Sequence, residues 1–242
     1  MPSSNSKNAI VIGATSGIGW SLALVLAHNG YRVGITGRRR HLLDELQKKI
    51  GDDCFVQEMD VTNPQAKEQL NDLISKMGNV GLIIYNSGVG YQNPELDLTK
   101  EMKIVATNVE GFTLLSNLAM EHFIGNNSGH LVGISSIAAI RGNRKAPAYF
   151  ASKSFMSSYL QGLQQLVTHK NLPITVTDIK PGFVDTPMID ARRAYWVCSA
   201  DKAAEQIYGA IRDKKKHAYI TPRWRLVAWV LKCLPNFIFN RF

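Results

Sequence analysis

Only three cysteines occur among the 242 residues, Cys54, Cys198 and Cys233. They are too few and too scattered for a disulfide framework, and no C-x-x-C pair or Cys/His cluster has the spacing of a zinc site, so no metal is expected. The expected setting is reducing and cytoplasmic: Met1 to Lys7 is polar and runs into a short apolar segment without a signal-peptide core. The Asn126-Asn127-Ser128 sequon then reads as an accident of composition. Long apolar runs are also missing. The strongly apolar stretch Trp224 to Leu234 is interrupted by Lys232 and followed by Pro235, and it falls short of the ~20 residues a membrane span needs. No repeat, low-complexity tract or linker divides the chain, so one domain over 1–242 is expected, with 222–242 as a basic, apolar C-terminal segment. Acid is scarce, 19 Asp and Glu against 28 Lys and Arg, a net charge of +9. A diffuse excess would suggest nucleic acid. Here it is concentrated: residues 212–242 hold eight basic residues against Asp213 alone, and Arg38-Arg39-Arg40 add three more. No nucleic-acid partner is read from it.

What is present is an alternation of short apolar strands and amphipathic helices. Strands are predicted at Lys7–Ile12, Tyr31–Thr36, Cys54–Met59, Val80–Tyr85, His130–Ile134, Ile174–Ile179 and His217–Thr221. Helices are predicted at Trp20–His28 and Arg38–Ile50, from Asn63-Pro64 through Ile74, and at Leu98–Ile124, Tyr149–His169 and Ala200–Ile211. This βαβ beat implies an α/β fold: a doubly wound parallel sheet of Rossmann type, flanked by helices on both faces, in a single domain. In such sheets ligands bind at the carboxyl ends of the strands.

The residues just after each strand are the informative ones. Gly13-Ala14-Thr15-Ser16-Gly17-Ile18-Gly19 follows the first strand. There Gly13 permits a tight bend, Gly17 lets the backbone approach a pyrophosphate, and Gly19 allows close helix–sheet packing. After the second strand, where NAD-binding sheets carry an acid for the ribose hydroxyls, stand Gly37 and Arg38-Arg39-Arg40. Cations at a helix N-terminus oppose the macrodipole, so they call for an anion such as a 2′-phosphate, and the cofactor expected is NADP(H). Asp60-Val61, after the third strand, can accept a hydrogen bond from an adenine amino group. Tyr149 and Lys153 stand at i and i+4 on one helical face. Bringing a phenol of pKa about 10 near 7 takes about 4 kcal/mol, which one cation about 4 Å away supplies at an effective dielectric of about 20. Ser136 ends the fifth strand, where its hydroxyl can bond the carbonyl oxygen that Tyr149 protonates.

Together Gly13/Gly17/Gly19, Asp60, Asn86-Ser87-Gly88, Asn108, Ser136, Tyr149/Lys153 and Pro181-Gly182-Phe183-Val184-Asp185-Thr186 resemble the short-chain dehydrogenase/reductase family, in order and spacing, over about residues 8 to 190. The resemblance implies that Tyr149 is the general acid/base, Lys153 lowers its pKa and holds the nicotinamide ribose, and Ser136 polarises the carbonyl. Asn108 would hold a water that relays the proton. It further implies a cofactor-contacting set of Gly13, Thr15, Ser16, Gly17, Ile18, Gly19, Arg38, Arg39, Asp60, Val61, Asn86, Gly88, Tyr149, Lys153, Pro181, Gly182, Val184 and Thr186. Four positions in three segments depart from the family pattern: Ile12 stands where Thr is frequent, Tyr85-Asn86-Ser87-Gly88 where Asn-Asn-Ala-Gly is usual, and Ser16 where NADP-preferring members often carry Arg or Lys. The last leaves Arg38 and Arg39 as the main phosphate ligands.

The expected activity is an NADP(H)-dependent interconversion of a carbonyl and a secondary alcohol on a small hydrophobic substrate. Met188, Ile189, Tyr195 and Trp196 would form an apolar substrate lid, with Tyr91 and Ala139–Ala148 lining the same pocket. The rival readings are a 3-ketoacyl-thioester reductase and a non-catalytic NADP-binding scaffold or sensor, the second disfavoured by the full Asn108/Ser136/Tyr149/Lys153 set. The six histidines have no metal-ligand spacing and are assigned nothing. Residues 222–242 admit two readings, a subunit interface of a homodimer or homotetramer, or peripheral contact with an anionic bilayer.

Overall fold

The computed structural model describes residues 7–187 and 195–239. Seven strands form one sheet: β1 (Lys7–Ile12), β2 (Tyr31–Gly37), β3 (Cys54–Glu58), β4 (Val80–Tyr85), β5 (Gly129–Ile134), β6 (Ile174–Pro181) and β7 (His217–Ile220). All neighbours are parallel, in the order β3-β2-β1-β4-β5-β6-β7. The chain leaves β1 toward β2 and β3, then returns to place β4 on the other side of β1. The strand order therefore reverses between β1 and β4, and a crevice opens there at the carboxyl ends.

Side chains of successive strand residues point to opposite faces, and the central strands are apolar at nearly every position, so each face needs its own cover. On one face Ala9, Val11, Ile35, Ile84 and Ile179 pack under α1 (Gly17–His28), α2 (Arg40–Ile50) and α7 (Ala200–Arg212), through Leu22, Leu26, Leu43, Leu46 and Ile207. On the other, Ile10, Ile12, Ile83, Tyr85 and Leu131 pack under α3 (Ala66–Met77), α5 (Phe112–Gly125) and α6 (Pro147–His169), through Leu70, Leu73, Phe112, Phe123 and Leu160. The doubly wound, two-faced sheet expected from the alternation is the one observed.

The helix expected over Leu98–Ile124 is not uniform. It consists of α4 (Leu98–Val105), a π-helical segment (Ala106–Gly111) and α5. Gly111 abuts β3's exit, where a Cβ would come within 2.6 Å of the Val61 carbonyl oxygen. The wider π turn re-aims Asn108 without ending the helix, a device common at functional sites. After β7 the chain adds α8 (Trp224–Cys233) and the short α9 (Asn236–Phe239).

One buried side chain makes the fold sensitive to acid. His130, 8% exposed at the start of β5, has Nε2 2.7 Å from the Thr177 hydroxyl. Burial, reinforced by the nearby Lys214 charge, pushes its pKa down to about 4. In the unfolded chain the imidazole takes up its proton near pH 6.5, so between that pH and about 4 the unfolded state binds more protons. Stability due to this residue is complete above the upper bound and falls with pH through the window, by up to about 3 kcal/mol. Urea denaturation at about pH 7 and about pH 4.5 measures the loss, and His130→Gln is expected to remove this part of the slope.

Candidate active site

Gly13 leaves β1 with φ of +91°, and a Cβ there would fall 2.7 Å from the Ser87 backbone. Gly19, in the first turn of α1, has no room either, with the Gly13 carbonyl oxygen 2.2 Å and Asn86 Nδ2 2.4 Å from its absent Cβ. Glycine at both positions lets the turn lie flat against the end of β4. Asn86 pins it there: its backbone N–H donates to the Ile12 carbonyl (2.9 Å) and its Nδ2 to the Gly13 carbonyl (2.7 Å). Gly17, at φ +57°, faces Thr186, whose Cγ2 would be 2.8 Å from a Cβ. The loop after β6 therefore closes over the glycine turn.

A single cleft follows the carboxyl ends of β1, β2, β3, β4, β5 and β6. Gly13, Thr15, Ser16, Gly17, Ile18, Arg38, Arg39, Asp60, Val61, Asn86, Gly88, Tyr149, Lys153, Pro181, Gly182, Val184 and Thr186 line it. Gly19, Asn108 and Ser136 do not line it directly. Of the expected lid, Met188 and Ile189 lie outside the described residues; Tyr195 and Trp196 are exposed and do not line the cleft. Ser135, Thr36, Met59, Val89 and Thr107 also line the cleft and were not singled out from the sequence. Their signal was position alone, at or just after strand ends and in the π turn.

The residues suit a dinucleotide phosphate. Ser16, the residue before α1, makes no side-chain capping bond, the first turn of α1 holds no acid, and Ser16, Gly17 and Ile18 line the cleft, so the free N–H groups of this helix end can take an anion there. The Thr36 hydroxyl, buried at the end of β2, has no hydrogen-bond partner among the described residues. Arg39 Nη2 donates to the hydroxyls of Thr15 (2.6 Å) and Ser16 (2.9 Å), which holds its guanidinium over the glycine turn. Arg38 Nη1 lies 3.8 Å from Asp60 Oδ2. The third cation is different: Arg40 pairs with Asp44 at i+4 (2.8 Å), so only Arg38 and Arg39 serve the cleft. The Asp60 carboxylate is already half engaged, since Oδ1 accepts from the Thr62 N–H (3.0 Å) and hydroxyl (2.8 Å).

Helix α6 begins at Pro147, which suits the first helical turn, and it carries Tyr149 and Lys153 on one side toward the end of β5. Ser136 caps the short 3-10 turn Ile137–Ile140, accepting from Ala138 N–H at 3.1 Å. Lys153 is 5% exposed; its Nζ donates to the Ile134 carbonyl (3.1 Å) and stands 6.0 Å from the Tyr149 ring centroid. Burial lowers the Lys153 pKa to about 8, with the Asp178 carboxylate acting in the opposite sense. The Lys153 ammonium, expected to lower the Tyr149 pKa, lies on the same side of α6 as the phenol ring and hydrogen-bonds the Ile134 carbonyl. Burial raises the phenol's pKa above its ordinary value, and the Ser136 hydrogen bond offsets only part of this. Asn108 stands in the π-helical segment. Fully buried, its amide clamps the Val89 peptide, accepting from Val89 N–H (2.9 Å) and donating to Val89 O (2.8 Å), and it donates to the Ser152 hydroxyl (3.0 Å).

The family model for short chain dehydrogenases matches residues 7–195. The chain belongs to this family of oxidoreductases. Among curated relatives, an uncharacterized oxidoreductase of Myxococcus xanthus is 35% identical over 188 residues, covering 75% of this chain and 74% of the relative. A 3-oxoacyl-(acyl-carrier-protein) reductase of Rickettsia conorii is 30% identical over 186 residues, covering 76% and 75%. Among solved structures, a short chain dehydrogenase/reductase from Burkholderia phymatum in complex with NAD superposes with a TM-score of 0.85 at 20% identity, covering 95% of this chain and 94% of the other.

Beneath the cleft lies a buried polar knot. Asp178, fully buried on β6, accepts from the hydroxyls of Ser135 (2.5 Å) and Ser157 (2.7 Å) and pairs with Lys180; His217 Nδ1 is 4.0 Å away. Ser135 adjoins Ser136, and Ser157 stands one turn beyond Lys153, so one carboxylate ties β5, α6 and β6 together under the site. The available signal was the charged pair two residues apart, hence on one sheet face, in an otherwise largely apolar strand. Asp178→Ala is expected to cost about 3–5 kcal/mol, because Lys180 stays buried without its partner. Replacing both, Asp178→Leu with Lys180→Met, is expected to recover most of that loss in chemical denaturation.

Proposed function

We propose that this protein reduces and oxidises a carbonyl/secondary-alcohol pair on a small hydrophobic substrate, with NADP(H) in the cleft. The observation that carries the reading is the single cleft that runs from the glycine turn and Arg38/Arg39 to Tyr149 and Lys153. The nicotinamide would supply or accept the hydride. In this reading the N–H groups of α1 and the Gly13–Gly19 turn hold the pyrophosphate, and Arg38 and Arg39 hold the 2′-phosphate. Asp60 keeps one carboxylate oxygen for the adenine side, and Thr186 closes the phosphate side. Lys153 binds the ribose, and Tyr149 delivers or removes the proton at the substrate oxygen while Ser136 orients it. Because burial raises the Tyr149 phenol, the protonated acid needed for reduction is its resting form at neutral pH. Deprotonation for the reverse direction would draw on the positive charges of Lys153 and the oxidised cofactor.

NADP over NAD is inferred from the cations after β2 and the lack of an acid there; the Burkholderia structure holds NAD, so the preference rests on this chain's own Arg38 and Arg39. A hydrophobic substrate is supported by Phe183, which lies between the cleft-lining Gly182 and Val184 and is 36% exposed, and by Trp196, 52% exposed. We also infer a homodimer or homotetramer, since Leu114, Phe155 and Leu166 leave apolar side chains exposed on α5 and α6.

Tyr149→Phe is expected to keep NADPH binding and to lose carbonyl reduction about a hundred- to ten-thousand-fold. NADPH consumption with ketones, sterols, retinoids and 3-ketoacyl thioesters measures it; undiminished turnover by the variant on the best substrate would overturn the mechanism. Arg38→Ala is expected to raise the NADPH dissociation constant about tenfold or more while changing that for NADH little. Equal effects on both would remove the 2′-phosphate assignment.

A further inference from the structure

Helix α8 is apolar on two opposite sides. Inward, Trp224 and Ala228 are 7% and 1% exposed, and Trp224 lies directly on Gly182, where a Cβ would come within 1.9 Å of its Nε1. Outward, Leu226, Trp229 and Val230 stand at i, i+3 and i+4, with 68%, 64% and 47% exposure. Phe237 in the following α9 is also exposed, at 70%. Arg141 fixes the joint between the two helices: its guanidinium donates to the Leu234 carbonyl and to Asn236 Oδ1 (2.7 Å) and stacks 5.0 Å from the Phe239 ring centroid. The outward side is therefore held in place, and no other described part of the chain covers it.

Charge decides what fits this surface. Arg225 and Lys232 are exposed along one flank of α8, toward Tyr219 and His217 of β7, and Arg223 is exposed just before its first residue. From Lys214 onward the chain has no carboxylate side chain. A second copy meeting this face across a two-fold axis would set cations against the same cations, with no acid in the segment to answer them. An anionic bilayer accepts both features: apolar side chains enter the headgroup boundary, tryptophan rests at its level, and Arg and Lys meet lipid phosphates. We propose that α8 and α9 are an interfacial anchor that lies flat on an anionic lipid surface. On its inward side, aromatic rings join α8 to the segments on either side of it in space. Trp196 stacks edge-on against Trp224 at 5.8 Å and accepts a hydrogen bond from Arg223 Nη2 (3.1 Å) at its carbonyl, and Phe183 meets Trp224 at 5.4 Å. The anchoring does not depend on the function proposed above.

Co-sedimentation of the full chain with vesicles of phosphatidylcholine and phosphatidylglycerol, and of phosphatidylcholine alone, tests the anchor without any turnover. Pelleting with the anionic vesicles, and its loss at high salt, is the expected result. Leu226→Glu with Trp229→Glu is expected to abolish pelleting without changing the size on gel filtration or the reduction of a small water-soluble ketone. Arg225→Ala and Lys232→Ala, both at exposed positions that leave the packing untouched, are each expected to lower vesicle partitioning about fivefold, and they keep the test decisive if the Glu variant does not fold. Three results would overturn the anchor: a folded wild-type chain that stays in the supernatant, pelleting insensitive to these substitutions, or a smaller assembly in the Glu variant, which would assign the face to a second copy. A chain that pellets but reduces no carbonyl compound would leave the anchor standing and remove the proposed function.

Discussion

The contact between the glycine turn and the end of β4 organises the rest of the molecule. Gly13 and Gly19 lack the one carbon that would hold β1, α1 and the Asn86–Ser87 backbone apart, and the bond from Asn86 Nδ2 to the Gly13 carbonyl draws them together. Because the turn is flat, the N-terminus of α1 opens into the crevice where the strand order reverses. Since α1 and α7 pack on the same sheet face, this placement also sets where the loop after β6 returns, with Thr186 against Gly17. A methyl group at either glycine would therefore be felt in the cleft and in the packing of that face together.

The opposite half of the cleft depends on buried polar groups instead of close backbone approach. Asp178 binds hydroxyls on two other elements, Asn108 clamps the Val89 peptide, and Lys153 reaches the Ile134 carbonyl. Each of these groups would be costly to bury alone, and each finds its partners only where β5, α6 and the π turn meet. The result is a rigid floor beneath Tyr149. The C-terminal helix adds to that floor from outside by laying Trp224 on Gly182, which couples the outer apolar surface mechanically to a residue lining the cleft.

Much of this was legible along the chain. Apolar runs marked the strands, the helical period marked the flanking layers, and residues just after the strands marked the cleft, because these signals arise from neighbours a few residues apart. The uniform helix expected over Leu98–Ile124 did not survive: nothing in its apolar spacing reveals the π turn, which answers to the contact between Gly111 and the Val61 carbonyl. Arg40 follows directly on Arg38 and Arg39 in the chain, yet it pairs with Asp44 and does not line the cleft.

The sequence by itself determined the doubly wound order of elements, the glycine turn, the cations after β2 and the pairing of Tyr149 with Lys153 on one helical face. Only the tertiary structure decided how these groups are solvated and whom they touch: that Lys153 reaches the Ile134 carbonyl, that Asn86 and Asn108 engage neighbouring backbone, that Asp178 sits beneath the site, and that α8 keeps one apolar side in the core and another outside it. Spacing is a property of the chain, whereas burial and hydrogen-bond partnership belong to residues brought together from distant positions, and it is burial that sets the protonation of Tyr149, Lys153 and His130.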